Sequence, residues 1–219
     1  MDTPLAEPLR SVLADMPIRP VPFVAEISLH LAHPGSGLRR LAEAWGDDDP
    51  PPPYWAWVWG GGAALARYVL DNPGCVAGRR VLDLGAGSGI VGVAAAKAGA
   101  RTVIVSEIDP DGRAVLALNA AANGVAFEAI VGDLTAGSPP AVDLVLVGDL
   151  FYAADVAART AAFLDRCLAA GTPALIGDPH RAWLPRERLR KLADYAAPDF
   201  GDAAQATPTD CAVFAFEAR

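Results

Sequence analysis

Two periodicities alternate along most of this chain. Short runs of consecutive apolar or β-branched residues recur at 81–84, 102–106, 127–131, 142–147, 173–177 and 211–217. Between them lie longer stretches with helical spacing at 63–70, 90–98, 111–123, 156–169 and 185–196. Runs of the first kind read as strands, and those of the second kind as helices. The helix punctuation agrees: Asn72-Pro73-Gly74 stops one helix, Pro110 opens another and Gly124 closes it. The stretch 142–147, VDLVLV, is nearly all apolar, as a strand covered on both faces requires. Strands alternating with helices of this length predict an α/β fold, doubly wound around a parallel sheet. Ligands of such folds sit at the carboxyl ends of the strands, which confines the search for chemistry.

The first 53 residues follow another pattern. Pro4, Pro8, Pro17, Pro20, Pro22 and Pro34 break them up, and the run Asp47-Asp48-Asp49-Pro50-Pro51-Pro52-Pro53 closes them. A short helix near 5–15, a strand at 23–32 and a helix near 36–45 are expected, with the acid–proline run as a linker or turn. The division is therefore an N-terminal extension, 1–53, and a main domain, 54–219.

Composition narrows the function classes. The 219 residues are 53% hydrophobic and 20% charged, which suits a globular domain. Unbroken apolar runs stay short of the roughly 18 residues a spanning helix needs. The formal net charge of −8 argues against broad binding to nucleic acid or anionic membrane. Cys75, Cys167 and Cys211 are scattered, so neither a disulfide scaffold nor a zinc site is expected. His30, His33 and His180 lack metal-ligand companions at suitable spacing. The N-terminal MDTPLAEPLR carries no apolar secretory core, so the expected compartment is the cytoplasm.

The densest signal is Val81-Leu82-Asp83-Leu84-Gly85-Ala86-Gly87-Ser88-Gly89-Ile90: a strand, three alternate glycines, then a helix. Glycines permit a sharp turn and close approach of a ligand. Residues 87–92 also satisfy the GxGxxG spacing of a dinucleotide site. Asp83 sits poorly beside a pyrophosphate but suits the zwitterionic end of S-adenosylmethionine, directly, through water or through the loop backbone.

Later strand ends add carboxylates. Glu107 follows the second strand about 20 residues after the loop, where a carboxylate can accept both ribose hydroxyls. Asp109 before Pro110 reads as a helix N-cap. Asp133 after the third strand either accepts an adenine amino group or bonds its own turn. Gly148-Asp149-Leu150-Phe151-Tyr152 ends the fourth strand. Gly148 permits close approach, Asp149 can hold an incoming amine, and an aromatic wall with Tyr152 can stabilise its cation. The plainer alternative has Asp149 capping a turn and Tyr152 in the core.

Together, Asp83 to Gly89, Glu107, Asp133 and Asp149-Leu150-Phe151-Tyr152 resemble the motif series of class I S-adenosylmethionine-dependent methyltransferases, and the Asp-x-Phe-Tyr form resembles the seven-strand protein-lysine methyltransferases. Residues 51–71 (PPPYWAWVWGGGAALARYVLD), 21–31 (VPFVAEISLHL) and 175–181 (LIGDPHR) are similar to segments of the electron transfer flavoprotein β-subunit lysine methyltransferases, bacterial members included. The resemblance covers about residues 20–217. It implies a Rossmann-like seven-strand sheet, mostly parallel with an antiparallel C-terminal strand. It also implies methyl transfer from S-adenosylmethionine to a lysine of the flavoprotein β-subunit. Under it, Asp149 and Tyr152 are the catalytic pair, and Trp59, Asp83, Gly85, Gly87, Glu107, Asp133 and Gly148 hold the cofactor. Trp59 would lie beside the cofactor, and Trp55 and Trp57 would flank the cleft entrance. Without the family, the alternating tryptophans read equally as a strand-like core staple. Ala63 stands where the resemblance leads to a glutamine.

His180, in a strand-end loop, is a candidate for the substrate cleft. Residues 186–191 read as a solvated basic helix face. The competing functions are methylation of a ribosomal protein or a small amine, a nicotinamide-dependent oxidoreductase resting on glycine spacing alone, and a catalytically silent cofactor-binding module.

Overall fold

A computed structural model describes residues 5–45, 52–199 and 208–218. The main body is a seven-stranded sheet in the order β5-β4-β3-β6-β7-β9-β8. Its strands are β3 (Arg80–Leu84), β4 (Thr102–Ser106), β5 (Ala129–Val131), β6 (Leu144–Gly148), β7 (Ala174–Asp178), β8 (Leu189–Pro198) and β9 (Pro208–Phe216). Strands β3 to β7 run parallel, and β9 runs antiparallel to both β7 and β8. The order reverses between β3 and β6, which opens the switch-point crevice where α/β sheets bind ligands.

Alternation along the strands sorts the core into two layers. Val81, Val103 and Val105 point to one face and pack under α3 (Gly60–Asp71) and α4 (Ile90–Lys97). Leu82, Leu84, Val145 and Val147 point to the other, under Phe163, Leu164 and Cys167 of α6 (Ala154–Ala169). Helix α5 (Pro110–Ala122) joins β4 to β5. Asp109 caps it, accepting from the amides of Asp111 and Gly112. The doubly wound fold with its antiparallel C-terminal strand is as expected.

The N-terminal residues form α1 (Glu7–Ala14), a hairpin of β1 (Ile18–Val21) and β2 (Val24–His30), and α2 (Arg39–Trp45). Strand β1 has no legible sequence pattern, because Pro17, Pro20 and Pro22 interrupt it. Asn119 of α5 and Asn123 just past its end complete the outer edge of β2. Asn119 Oδ1 accepts from His30 N and Asn123 Oδ1 from Ser28 N, each at 2.9 Å. Most of the acid–proline run, 47–51, lies outside the described residues.

One element differs in kind. Residues 185–196, expected as a charged amphipathic helix, form a 3-10 turn at Arg186–Arg188 followed by edge strand β8. Leu189, Leu192 and Tyr195 fall at three-residue steps that imitate a helix face. The register shift between Lys191 and Ala193 inserts an extra residue, so the two-residue alternation is broken in the sequence while pairing with β9 continues. Exposed Arg190 and Lys191 on this outermost strand discourage edge-to-edge pairing.

Candidate active site

Helix α3 begins with Gly60-Gly61-Gly62, and their lack of side chains sets the geometry of the site. A Cβ on Gly61 would stand 2.3 Å from the Gly177 carbonyl oxygen, and one on Gly148 would stand 2.9 Å from Gly62 Cα. The helix start therefore lies directly on the ends of β6 and β7. Its unsatisfied amides need acceptors there. Gly62 N donates to Asp149 Oδ2 at 2.6 Å and Gly60 N to Asp199 Oδ1 at 2.8 Å.

Asp149 follows the last residue of β6 with φ of +60°, a strained conformation for a non-glycine residue. Its own N–H donates to Gly177 O at 3.0 Å. The bend aims the carboxylate at the start of α3, where Arg181 Nη2 and Nε donate to Oδ1 at 2.7 and 3.1 Å. Burial pushes this carboxyl up to about 7, against the opposing pull of the Arg181 charge and the Gly62 amide.

A cavity of about 270 Å³ opens at these strand ends. Gly85 and Gly87 form its floor after β3, both with positive φ. Ser106, Glu107 and Ile108 line it after β4, Asp133 and Thr135 after β5, and Gly148, Asp149, Leu150 and Tyr152 after β6. Tyr54, Trp59, Arg159, Thr160 and Arg181 also reach it. Glu107 ties the glycine loop down: Oε2 accepts from Gly87 N and Oε1 from Asp109 N, each at 2.9 Å. Burial raises its pKa, opposed by those amides. Tyr152 and Tyr54 meet with tilted rings, 5.5 Å between centroids, and Tyr54 lies 5.7 Å from Trp59.

A family model described as lysine methyltransferase matches residues 55–187. This chain belongs to the lysine methyltransferase family. It is similar to proteins named electron transfer flavoprotein beta subunit lysine methyltransferase. That of Danio rerio is 41% identical over 181 residues, covering 80% of this chain and 69% of the relative. That of Rattus norvegicus is 38% identical over 164 residues, covering 72% of this chain but 63% of the relative, so this chain spans just under two thirds of that length. The fold is shared with the ribosomal protein L11 methylase of Lactobacillus delbrueckii subsp. bulgaricus, with a TM-score of 0.50, 20% identity, and coverage of 70% of this chain and 77% of that one.

In this member of the family, Trp59, Gly85, Gly87, Glu107, Asp133, Gly148, Asp149 and Tyr152 border one cavity. Asp83 does not. It is 1% exposed and accepts from Gly92 N at 2.8 Å, beneath the first turn of α4. Its position one residue before the end of β3 turns it away from the cavity lining and toward the first turn of α4, so the structure does not place it in direct reach of a ligand there. With Glu107 on the loop and Asp83 under the helix start, two carboxylates occupy donors that a pyrophosphate would need, which disfavours the dinucleotide reading. Asp133 both lines the cavity and bonds its own turn, accepting from Thr135 N at 2.7 Å.

The tryptophans separate. Residues 54–56 form a 3-10 turn instead of a strand. Trp55 is 1% exposed, donates to Asp109 Oδ2 at 3.0 Å and packs in the core under α1. It does not flank the cleft, because the turn rotates it inward. Trp57 meets Trp59 edge-on at 6.4 Å. Ala63 is fully buried in the core. His180 packs against Phe214 and lines a separate cavity with Asp194 and Cys211. Arg181, absent from the residues expected at the site, holds Asp149 from the loop after β7. Its only signal in the sequence is its place just past a strand end.

Proposed function

We propose that this chain is an S-adenosylmethionine-dependent protein-lysine N-methyltransferase acting on the electron transfer flavoprotein β-subunit. The observation that carries the reading is Asp149: a buried carboxylate, strained into place at the wall of a strand-end cavity and framed by Tyr54, Trp59 and Tyr152. The flavoprotein target follows from the names of the relatives.

The lining suits this cofactor. Glu107 and Asp133 offer acceptors for ribose hydroxyls and an adenine amino group, while Gly85, Gly87 and Gly148 let a ligand lie against backbone. When bound, S-adenosylmethionine supplies an electrophilic methyl group on a sulfonium. Asp149 receives the target lysine as an ammonium, and after one proton passes to solvent it holds the neutral amine through a remaining N–H and aligns its lone pair. Tyr152, Tyr54 and Trp59 wall the cation with aromatic faces. In this reading Asp83 steadies the first turn of α4 from below while Glu107 steadies the glycine loop. The extension, 1–53, braces the domain, 54–219, through the contacts of β2 with α5.

Among the described residues, no helix is long and apolar enough to cross a membrane. The proposal places the reaction in the cytoplasm, in keeping with the three free cysteines.

The test is mass spectrometry of purified electron transfer flavoprotein after incubation with enzyme and S-adenosylmethionine. The expected result is a mass increase of one or more methylene units on a β-subunit lysine, abolished by Asp149→Ala. An unmodified β-subunit beside another methylated protein overturns the substrate.

A further inference from the structure

The environment of Asp149 raises a problem for an incoming amine: both carboxylate oxygens are already engaged, Oδ2 by the Gly62 amide and Oδ1 by two donors of Arg181. Arg181 sits three residues past the end of β7, anchored by its own N–H donating to Asp178 Oδ1 at 2.7 Å. From there its guanidinium enters the cavity, with Cζ 5.6 Å from the centroid of the Trp59 ring. The same Nη2 that binds Asp149 lies 3.6 Å from Asp199 Oδ1.

The charges around it are unequal. Asp149, Asp178 and Asp199 surround the start of α3 and the β7 loop, and all three act on Arg181. Asp178 is fully buried, and its Oδ2 has no hydrogen-bond partner among the described residues. His180 lies beside Asp178 but packs toward Phe214. Asp149 and Asp199 face the guanidinium while Asp178 holds the Arg181 backbone, so one cation serves more than one carboxylate and leaves room, in charge terms, for a second.

We infer that Arg181 is a resident substitute for the substrate's ammonium, holding Asp149 before the target lysine arrives and crossing to Asp199 when it does. The inference rests on the reading that Asp149 receives the amine. The crossing asks for a small movement, because Asp199 already lies just outside hydrogen-bond distance. Arg181 then pairs with Asp199 while the incoming ammonium pairs with Asp149, so neither cation and neither of these two carboxylates is left without a partner. The exchange also selects the substrate. A cationic amine can displace a guanidinium from a carboxylate, whereas a neutral hydroxyl would strand it.

The test needs no methyl transfer. The Gly62 amide, bonded to Asp149, serves as a nuclear magnetic resonance reporter while n-butylammonium chloride is titrated into the full chain. Arg181→Met is expected to bind the amine about tenfold more tightly than wild type or better, and Asp149→Asn to lose the response. Equal or weaker binding by a folded Arg181→Met overturns the inference. If that variant does not fold, Arg181→Lys decides. It keeps the charge but lacks the Nε donor, so it should yield Asp149 to the amine more readily than wild type, and equal or weaker binding again overturns the exchange. Because the flavoprotein assay is separate, failure there and failure here are distinguishable.

Discussion

The carboxylate of Asp83 ends at the amide of Gly92, 2.8 Å away and sealed from solvent, so an acid in the strand before the glycine loop serves the helix after it. It accepts one of the amides that the first turn of α4 leaves unpaired. Burial pushes it to about 7, opposed by the Gly92 amide and assisted by the charge of Glu107.

That position predicts a pH dependence of stability. The folded pKa lies above the unfolded value of roughly 4. Asp83 therefore favours the folded state most below pH about 4, and this contribution fades as pH rises through about 7. Asp83→Asn keeps an acceptor for Gly92 and never charges. Its melting temperature should fall less than that of wild type between pH about 5 and pH about 8, as calorimetry would show. An unchanged slope would place the titration elsewhere.

Glu107 joins the glycine loop to the cavity. Glu107→Ala removes the acceptor for Gly87 and Asp109 and the carboxylate proposed to hold the ribose. Loss of charged hydrogen bonds of this kind costs about 1.5–3 kcal/mol, or about tenfold to a hundredfold in S-adenosylhomocysteine affinity. Titration calorimetry would measure it, and an unaltered affinity contradicts the assignment.

Asp149 predicts the acid limb of the rate profile. The carboxylate must be ionised to receive an ammonium, so kcat/KM should fall as pH drops below about 7. Asp149→Asn should lower kcat by roughly a hundredfold or more and remove that limb. A limb that survives the substitution belongs to another group.

Gly61→Ala tests how closely α3 lies on the sheet. The added Cβ would meet the Gly177 carbonyl at 2.3 Å and Asp149 Oδ2 at 2.8 Å, and backbone cannot yield as a flexible side chain does. Overpacking of this kind costs about 1–3 kcal/mol. Gly74→Ala, with nothing within 4 Å of its added Cβ, is the control and should be near neutral. Chemical denaturation distinguishes them, and equal stabilities would refute the tight contact.

The tryptophans should divide by role. Trp55→Ala empties a fully enclosed site and should cost about 3–5 kcal/mol in stability, while Trp59→Ala should act chiefly on ligand affinity. The reverse ranking would show that the turn at 54–56 does not orient them as described.

Much was legible in the linear pattern because it depends on local rules. A glycine-rich turn after a buried strand, and acids where successive strands end, follow from backbone permissiveness and strand topology, and they located Glu107, Asp133 and Asp149 on one cavity. Three-residue spacing could not reveal β8, since a bulge imitated a helix and the partner that decides the matter, β9, comes later in the chain. Nor could it show which way Asp83 and Trp55 face, which depends on pleat and turn geometry. The pairing of Arg181 with Asp149 and Asp199 is the furthest from sequence. It exists only because parallel strands bring β6 and β7 together, the glycines of α3 let that helix settle onto them, and burial then makes each carboxylate seek whatever donor the fold has placed within reach.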